Sequence, residues 1–343
     1  MIRVGLPRAL VFYQYFPLWK TFFEHLGAEI VVSGETTKSI LAAGSARVVA
    51  DTCLPTKVFC GHVLSIVDRI DCLFAPSVRS LEPQVYNCSK FLGLPDLIRN
   101  VIPECPEVLD IEIDINKGEK ALRQQVLSLG RRFTRDVSRI EAAMAAGVEA
   151  DRRYQEALRR GLFPPQALEA IGVVEGKRAP EEEAGCARRG GGRGRPPRVA
   201  VIGHPYNIYD RYVNHDLLGR LHRMGAEVLT AEIAPAGALD RGTRSLVGKT
   251  YWTYEDEVVG AAGHYLEADV DGIVCVVSFG CGPDSLMVDV IQRAAKLRRS
   301  KPLVLITIDE HTGEAGLVTR LEAFIDMLER RRASQRLQRE QTA

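Results

Sequence analysis

Apolar and polar positions along the chain fall into two blocks in which short apolar runs alternate with amphipathic ones. In the first block IRVGLP, AEIVVS, ARVVAD, DCLFAPS and VLDIEID read as strands. Between them YFPLWKTFFEHLG, PTKVFCGHVLSIVDRI and SKFLGLPDLIRN have helical spacing and end in helix-stop or polar residues. This alternation predicts an α/β fold, a mostly parallel sheet with helices on both faces. From about Lys117 to Leu162 the chain is rich in Ala, Leu, Arg and Glu, which predicts one or two long helices. The second block resumes the strand pattern in RVAVIGHP, AEVLTAEI, DGIVCVVSF and LVLITID.

The two blocks repeat each other weakly. RVGLPRALVFYQY…FFEHLGAEIVVS aligns by eye with RVAVIGHPYNIYD…LHRMGAEVLTA. The repeat predicts two similar α/β domains facing each other, with the crevice at the carboxyl ends of the strands as the site. The expected boundaries are 1–115 for the first domain, 116–175 for a helical segment, 176–197 for a linker, 198–330 for the second domain and 331–343 for a fraying tail. The linker, Gly176 to Pro197, is charged and rich in Gly and Pro, and its Cys186 is expected to have no structural duty. The end of RLEAFIDMLERRRASQRLQRE is too polar to stay packed.

Composition narrows the function classes. With 343 residues the chain exceeds one ordinary core, and 46% apolar and 26% charged residues suit a soluble globular protein. A net charge of +1 gives no global field for nucleic acid or an acidic membrane. MIRVGLPRAL is not built like a signal peptide, and no apolar run reaches the length of a membrane span. A cytoplasmic protein is expected, in which eight cysteines serve as thiols or metal ligands rather than disulfides.

The cysteines sort by position. Cys72 and Cys275 sit inside strands, as small apolar residues, and Cys105 lies in a loop. Cys53 in DTCLPTK and Cys281 in SFGCGPDS share a Cys-x-Pro pattern after a strand, with the proline opening a helix. Cys88 in YNCSKF also precedes a helix. A thiol at a helix N-terminus meets unpaired N–H groups and the positive end of the dipole, which favour thiolate. Three convergent thiolates suit a soft metal centre. A [4Fe–4S] cluster held by three of them leaves one iron open for chemistry. Zinc, completed by Cys60 or His62, and metal-free thiol redox chemistry compete with it. Cys60, two helical turns after Cys53, is either core or an auxiliary ligand.

Together, IRVGLPRAL, SGETT, DTCLPTKVFCGH, YNCSKF, GHPYNIYD, YWTYEDE, SFGCGPDS and DEHTGEAGLVTRLEAF resemble the acyl-CoA dehydratase activase-related branch of the 2-hydroxyacyl-CoA dehydratase superfamily. Benzoyl-CoA reductase subunits and double-cubane cluster proteins belong to the same superfamily. The resemblance implies two Rossmann- or flavodoxin-like domains, a helical portion and an iron–sulfur cluster between the domains, with Cys53, Cys88 and Cys281 as ligands. It also implies electrons delivered by an ATP-hydrolysing [4Fe–4S] activator, a small substrate such as a CoA thioester, and a homo- or heterodimer. A double-cubane [8Fe–9S] cluster ranks below a single cubane, because it needs more cysteines. The chain has no Walker-type phosphate loop, so it is the electron acceptor rather than the ATPase.

Other candidates lie at strand ends. His204, Tyr206, Asn207 and Tyr209 in GHPYNIYD either orient a substrate or form a hydrogen-bonded loop. Asp309, Glu310 and His311 either supply a proton or cap the following helix. Lys57 either offsets cluster charge or is a solvated lysine, and His25, His215, His222 and His264 carry no partner signal. The expected activity is a low-potential iron–sulfur reductase or dehydratase component. The competing reading is a non-catalytic Fe–S or zinc scaffold that assembles a partner enzyme.

Overall fold

Both halves of the chain are built on one four-stranded parallel plan. The computed structural model describes residues 1–174, 195–298 and 301–342. Cys186 and most of the expected linker lie outside the described residues. The chain divides into two units, Met1–Glu175 with Thr250–Glu255, and Gly176–Lys249 with Asp256–Ala343.

In the first unit β1 (Arg3–Leu6), α1 (Phe12–His25), β2 (Glu29–Val32), α2 (Lys38–Ser45), α3 (Leu54–Leu64) and β3 (Cys72–Phe74) follow in order. They lead to β4 (Ser77–Ser80), α4 (Ser89–Leu92), α5 (Leu94–Val101), β5 (Glu107–Leu109) and β6 (Glu112–Asp114). The main sheet has the order β2-β1-β3-β5, all parallel, and β4 pairs with β6 in a second, two-stranded sheet. VLDIEID therefore splits into two strands of different sheets, and the polar β4 carries too little apolar signal to be read from sequence.

The second unit contains β7 (Arg198–Ile202), α9 (Pro205–Ile208), α10 (Leu217–Arg223) and β8 (Glu227–Leu229). After α11 (Ala238–Val247) a π-turn over Asp256–Gly260 opens α12 (Ala261–Glu267). β9 (Gly272–Ser278), α13 (Gly282–Arg298), β10 (Leu303–Ile308) and α14 (Glu314–Thr342) complete it. Its strand order, β10-β9-β7-β8, is the first unit's plan read from the other end, again all parallel. Every residue of β9 is buried, as a central parallel strand requires.

The repeat extends to single contacts. Arg3 is in register with Glu29, and Arg198 with Glu227. The backbone N–H of each arginine donates to an aspartate at the start of the third strand, Asp71 or Asp271, at 2.8 Å in both cases. Gly27 (φ 86°) and Gly225 (φ 82°) end the first helix of each unit in the left-handed conformation that glycine adopts without strain. These contacts set register more than they add stability, because Arg3 and Asp71 are over 40% exposed.

The helices after residue 116 are α6 (Glu119–Gly130), α7 (Val137–Arg159) and α8 (Pro164–Ala170). The longest, α7, packs on α1, and one atom explains part of the fit. Pro17 lies inside α1 and has no N–H to give the carbonyl of Tyr13. The hydroxyl of Tyr154, fully buried on α7, donates to that carbonyl instead. At Gly147 of α7 an added Cβ would lie 2.7 Å from Leu18 O, so the backbones touch there.

Two expectations are corrected. ARVVAD is not a strand but the turn between α2 and α3, and Val49 within it is 74% exposed. Thr37 caps α2, and Gly44 and Gly61 let the two helices meet backbone to backbone: an added Cβ would lie 1.9 Å from Lys57 O or 2.0 Å from Ile40 O. The helical pair leaves the two valines no sheet to join. The polar tail beyond 331 continues α14 to Thr342.

Candidate functional site

All three candidate cysteines stand immediately before a helix. Cys53 is the N-cap of α3, with φ −62° and ψ 149°, and its Sγ lies 3.3 Å from Thr56 Oγ1. Cys88 is the N-cap of α4, and its N–H donates to Asn87 Oδ1 at 3.0 Å. Neither thiol accepts from the amides of its own helix. Cys281 precedes α13 in a turn that Gly280 (φ 76°) permits; its N–H donates to Ser278 O, and its carbonyl accepts from Ser285. All three are half-buried, and none of the described cysteines forms a disulfide. Cys53 follows a helical turn rather than the strand end expected for it. Cys53 and Cys88 belong to the first unit and Cys281 to the second. Among the described residues, no three His, Cys, Asp or Glu side chains are grouped as a metal site.

Cys60, Cys72 and Cys275 are buried. Burial pushes the Cys60 and Cys72 thiols up to about 12 and raises Cys275 as well. Burial thus holds Cys60 as a neutral thiol, a poor start for a metal ligand. Lys57, which the sequence left between two roles, is buried and donates to Ala50 O at 2.8 Å, tying the turn before Cys53 to α3.

A buried polar chain runs beside it in the first unit. The N–H of Arg8 donates to Ser33 Oγ (2.8 Å), which lies 2.9 Å from His62 Nδ1; His62 Nε2 lies 2.8 Å from Thr36 Oγ1. Burial, with the nearby Arg8 cation, lowers His62 to about 4, so the ring is neutral at pH 7. The sequence reading raised His62 only as a zinc ligand; the hydroxyls of SGETT were the available clue to its role.

In the second unit His204 caps α9 and lies between two carboxylates, Glu257 Oε2 at 3.0 Å and Asp284 Oδ1 at 3.1 Å. Burial opposes the charged ring, but Asp284 and Glu257 outweigh it and raise His204 to about 10. Tyr206 stacks on the imidazole, with centroids 5.1 Å apart. Asp284 Oδ2 also accepts from Ser278 N at 3.1 Å, and Ser278 Oγ donates to Asn207 Oδ1 at 2.8 Å. One network therefore joins the loop after β7 to the loop that carries Cys281. Sequence reasoning missed Glu257 and Asp284, although Asp284 stands in the quoted GPDS. Tyr209 is held by Thr230 and Glu232 (2.9 and 2.7 Å), a structural role.

Glu310 and His311 lie on the loop after β10, which is separated from β7 by β9. Two strand spacings, about 10 Å, therefore divide the backbone of this loop from that of His204. His311 is exposed, and its N–H donates to Asp309 Oδ1 in a turn that Thr312 closes. Capping of this turn is the role the contacts show.

No helix among the described residues is long and apolar enough to cross a membrane. No curated protein shows significant similarity to the chain. Residues 3–233, the first sheet and the start of the second, match one family. Because that match spans more than half of its length, the chain belongs to the family described as the CoA enzyme activase uncharacterised domain, DUF2229.

Proposed function

We propose that the protein is an iron–sulfur component of a low-potential reductase or dehydratase system, with Cys53, Cys88 and Cys281 as cluster ligands. It accepts electrons from an ATP-hydrolysing [4Fe–4S] activator and serves a small substrate, such as a CoA thioester. The observation that carries this reading is the shared placement of the three thiols, each on the residue before a helix. That placement favours thiolate, and thiolate is the donor an iron–sulfur cluster takes. The family description, which names CoA enzymes, supports the substrate class. When bound, a cubane on three thiolates supplies one-electron transfer and an open iron.

The remaining groups supply charge, position and protons. His204, held cationic by Glu257 and Asp284, fixes the turn of Cys281 through Ser278. Tyr206, stacked on that ring, presents a polar aromatic face at the end of β7. Glu310 and the exposed His311 are placed to exchange protons with solvent.

Anaerobic purification or reconstitution, followed by metal analysis and EPR of the reduced protein, tests this. About four irons per chain are expected for a cubane, lost in Cys53→Ser, Cys88→Ser and Cys281→Ser but kept in Cys60→Ser. A colourless protein after anaerobic reconstitution, or iron retained by the triple variant, would sink it. Stoichiometric zinc in place of iron would favour the scaffold reading.

A further inference from the structure

Each unit places a cation two residues beyond the end of its first strand: Arg8 after β1 and His204 after β7. The protein itself neutralises only one of them. His204 has two carboxylates within 3.1 Å. Among the described residues Arg8 has none; its guanidinium lies over the Phe12 ring at 5.7 Å. We infer that Arg8 anchors an anion site for a phosphate group at the carboxyl ends of β1 and β2.

Three further observations support the site. The loop that carries Arg8 is strained, because Leu10 holds φ 50° while 3% exposed, and a bulky residue in that region marks a loop fixed for a purpose. The Arg8 N–H, Ser33, His62 and Thr36 form a continuous polar chain beneath the guanidinium. With His62 neutral, Ser33, His62 and Thr36 hold three hydrogens and use two among themselves. One hydroxyl hydrogen therefore points out of the chain. The same Ser33–Thr37 loop opens α2, whose positive end adds to the field of Arg8. Sheets of this strand order take phosphates at this end, next to the loop after the first strand. The guanidinium fork and the hydroxyl match several oxygens of one phosphate. The site uses none of the three candidate cluster cysteines, so it stands or fails independently of the cluster.

Calorimetric titration of the full chain with inorganic phosphate, at ionic strength held constant with chloride, tests the site. Saturable binding is expected, weakened about tenfold or more in Arg8→Ala, with the unliganded variant melting as a folded protein. If Arg8→Ala does not fold, Arg8→Gln, which keeps the aliphatic stem over Phe12, replaces it. Titrations with CoA and ADP identify the source. Arg8-dependent binding tighter than that of phosphate supports an ester, and binding no tighter supports the free anion. The inference is overturned if phosphate acts no differently from chloride, if acetate binds as well as phosphate, or if the Arg8 variants bind like the parent protein.

Discussion

His204 Nε2 lies 3.1 Å from Asp284 Oδ1, with both side chains buried in the second unit. The pair, with Glu257, makes a cation–carboxylate cluster that ties the first strand's end loop to the turn of Cys281. Burying such charges is costly, so the cluster serves position more than stability, and removing one member should be severe. Asp284→Asn is expected to cost about 3 kcal/mol or more, read by denaturant unfolding. A loss below about 1 kcal/mol, the range of a surface pair, would show that the carboxylate is solvated.

The same cluster sets an alkaline limit. The pKa of His204 rises from 6.5 to about 10 on folding. The folded state therefore binds its proton more tightly, so this contribution is full below 6.5 and is lost as pH climbs through 10. Unfolding free energy measured across that range should decline, and His204→Gln should flatten the decline.

His62 acts in the opposite direction. Its pKa falls from 6.5 to about 4 on folding. Between those values the unfolded chain holds the proton and the folded chain does not, so stability falls as pH is lowered through the window. His62→Gln should remove that acid limb while leaving the alkaline limb intact. An unchanged acid limb in the variant would assign it to carboxylates instead.

Tyr154 and Pro17 should be coupled. The hydroxyl satisfies a carbonyl that the proline orphans, so Tyr154→Phe is expected to cost about 1–3 kcal/mol. In a Pro17→Ala background the helix supplies its own N–H, and the cost should shrink. A double-mutant cycle by urea unfolding measures the difference; equal costs in both backgrounds would contradict the role given to the hydroxyl.

Thiol accessibility should follow burial. In metal-free native protein, alkylation read by peptide mass spectrometry should modify Cys53, Cys88 and Cys281 before Cys60, Cys72 and Cys275. Early modification of Cys60 would contradict its place in the core.

The periodic apolar runs by themselves determined the two α/β blocks and most strands, because a buried parallel strand must be a short continuous apolar segment. GAE and the flanking arginines, read as a weak repeat, correspond to matched contacts: Arg3 with Asp71, Arg198 with Asp271, and the two left-handed glycines. The placement of Cys53, Cys88 and Cys281 before helices was also legible, from Cys-x-Pro and the apolar spacing that follows. Only the tertiary structure decided that ARVVAD is a turn, since two glycines far apart in sequence had to meet before α2 and α3 could pair. Only it showed Lys57 and Cys60 to be buried, Arg8 to lack a carboxylate among the described residues, and His204 to have two. Periodicity reports the face a residue takes within its own element. A charge partner 53 or 80 positions away leaves no local pattern, because it is chosen by how the elements pack.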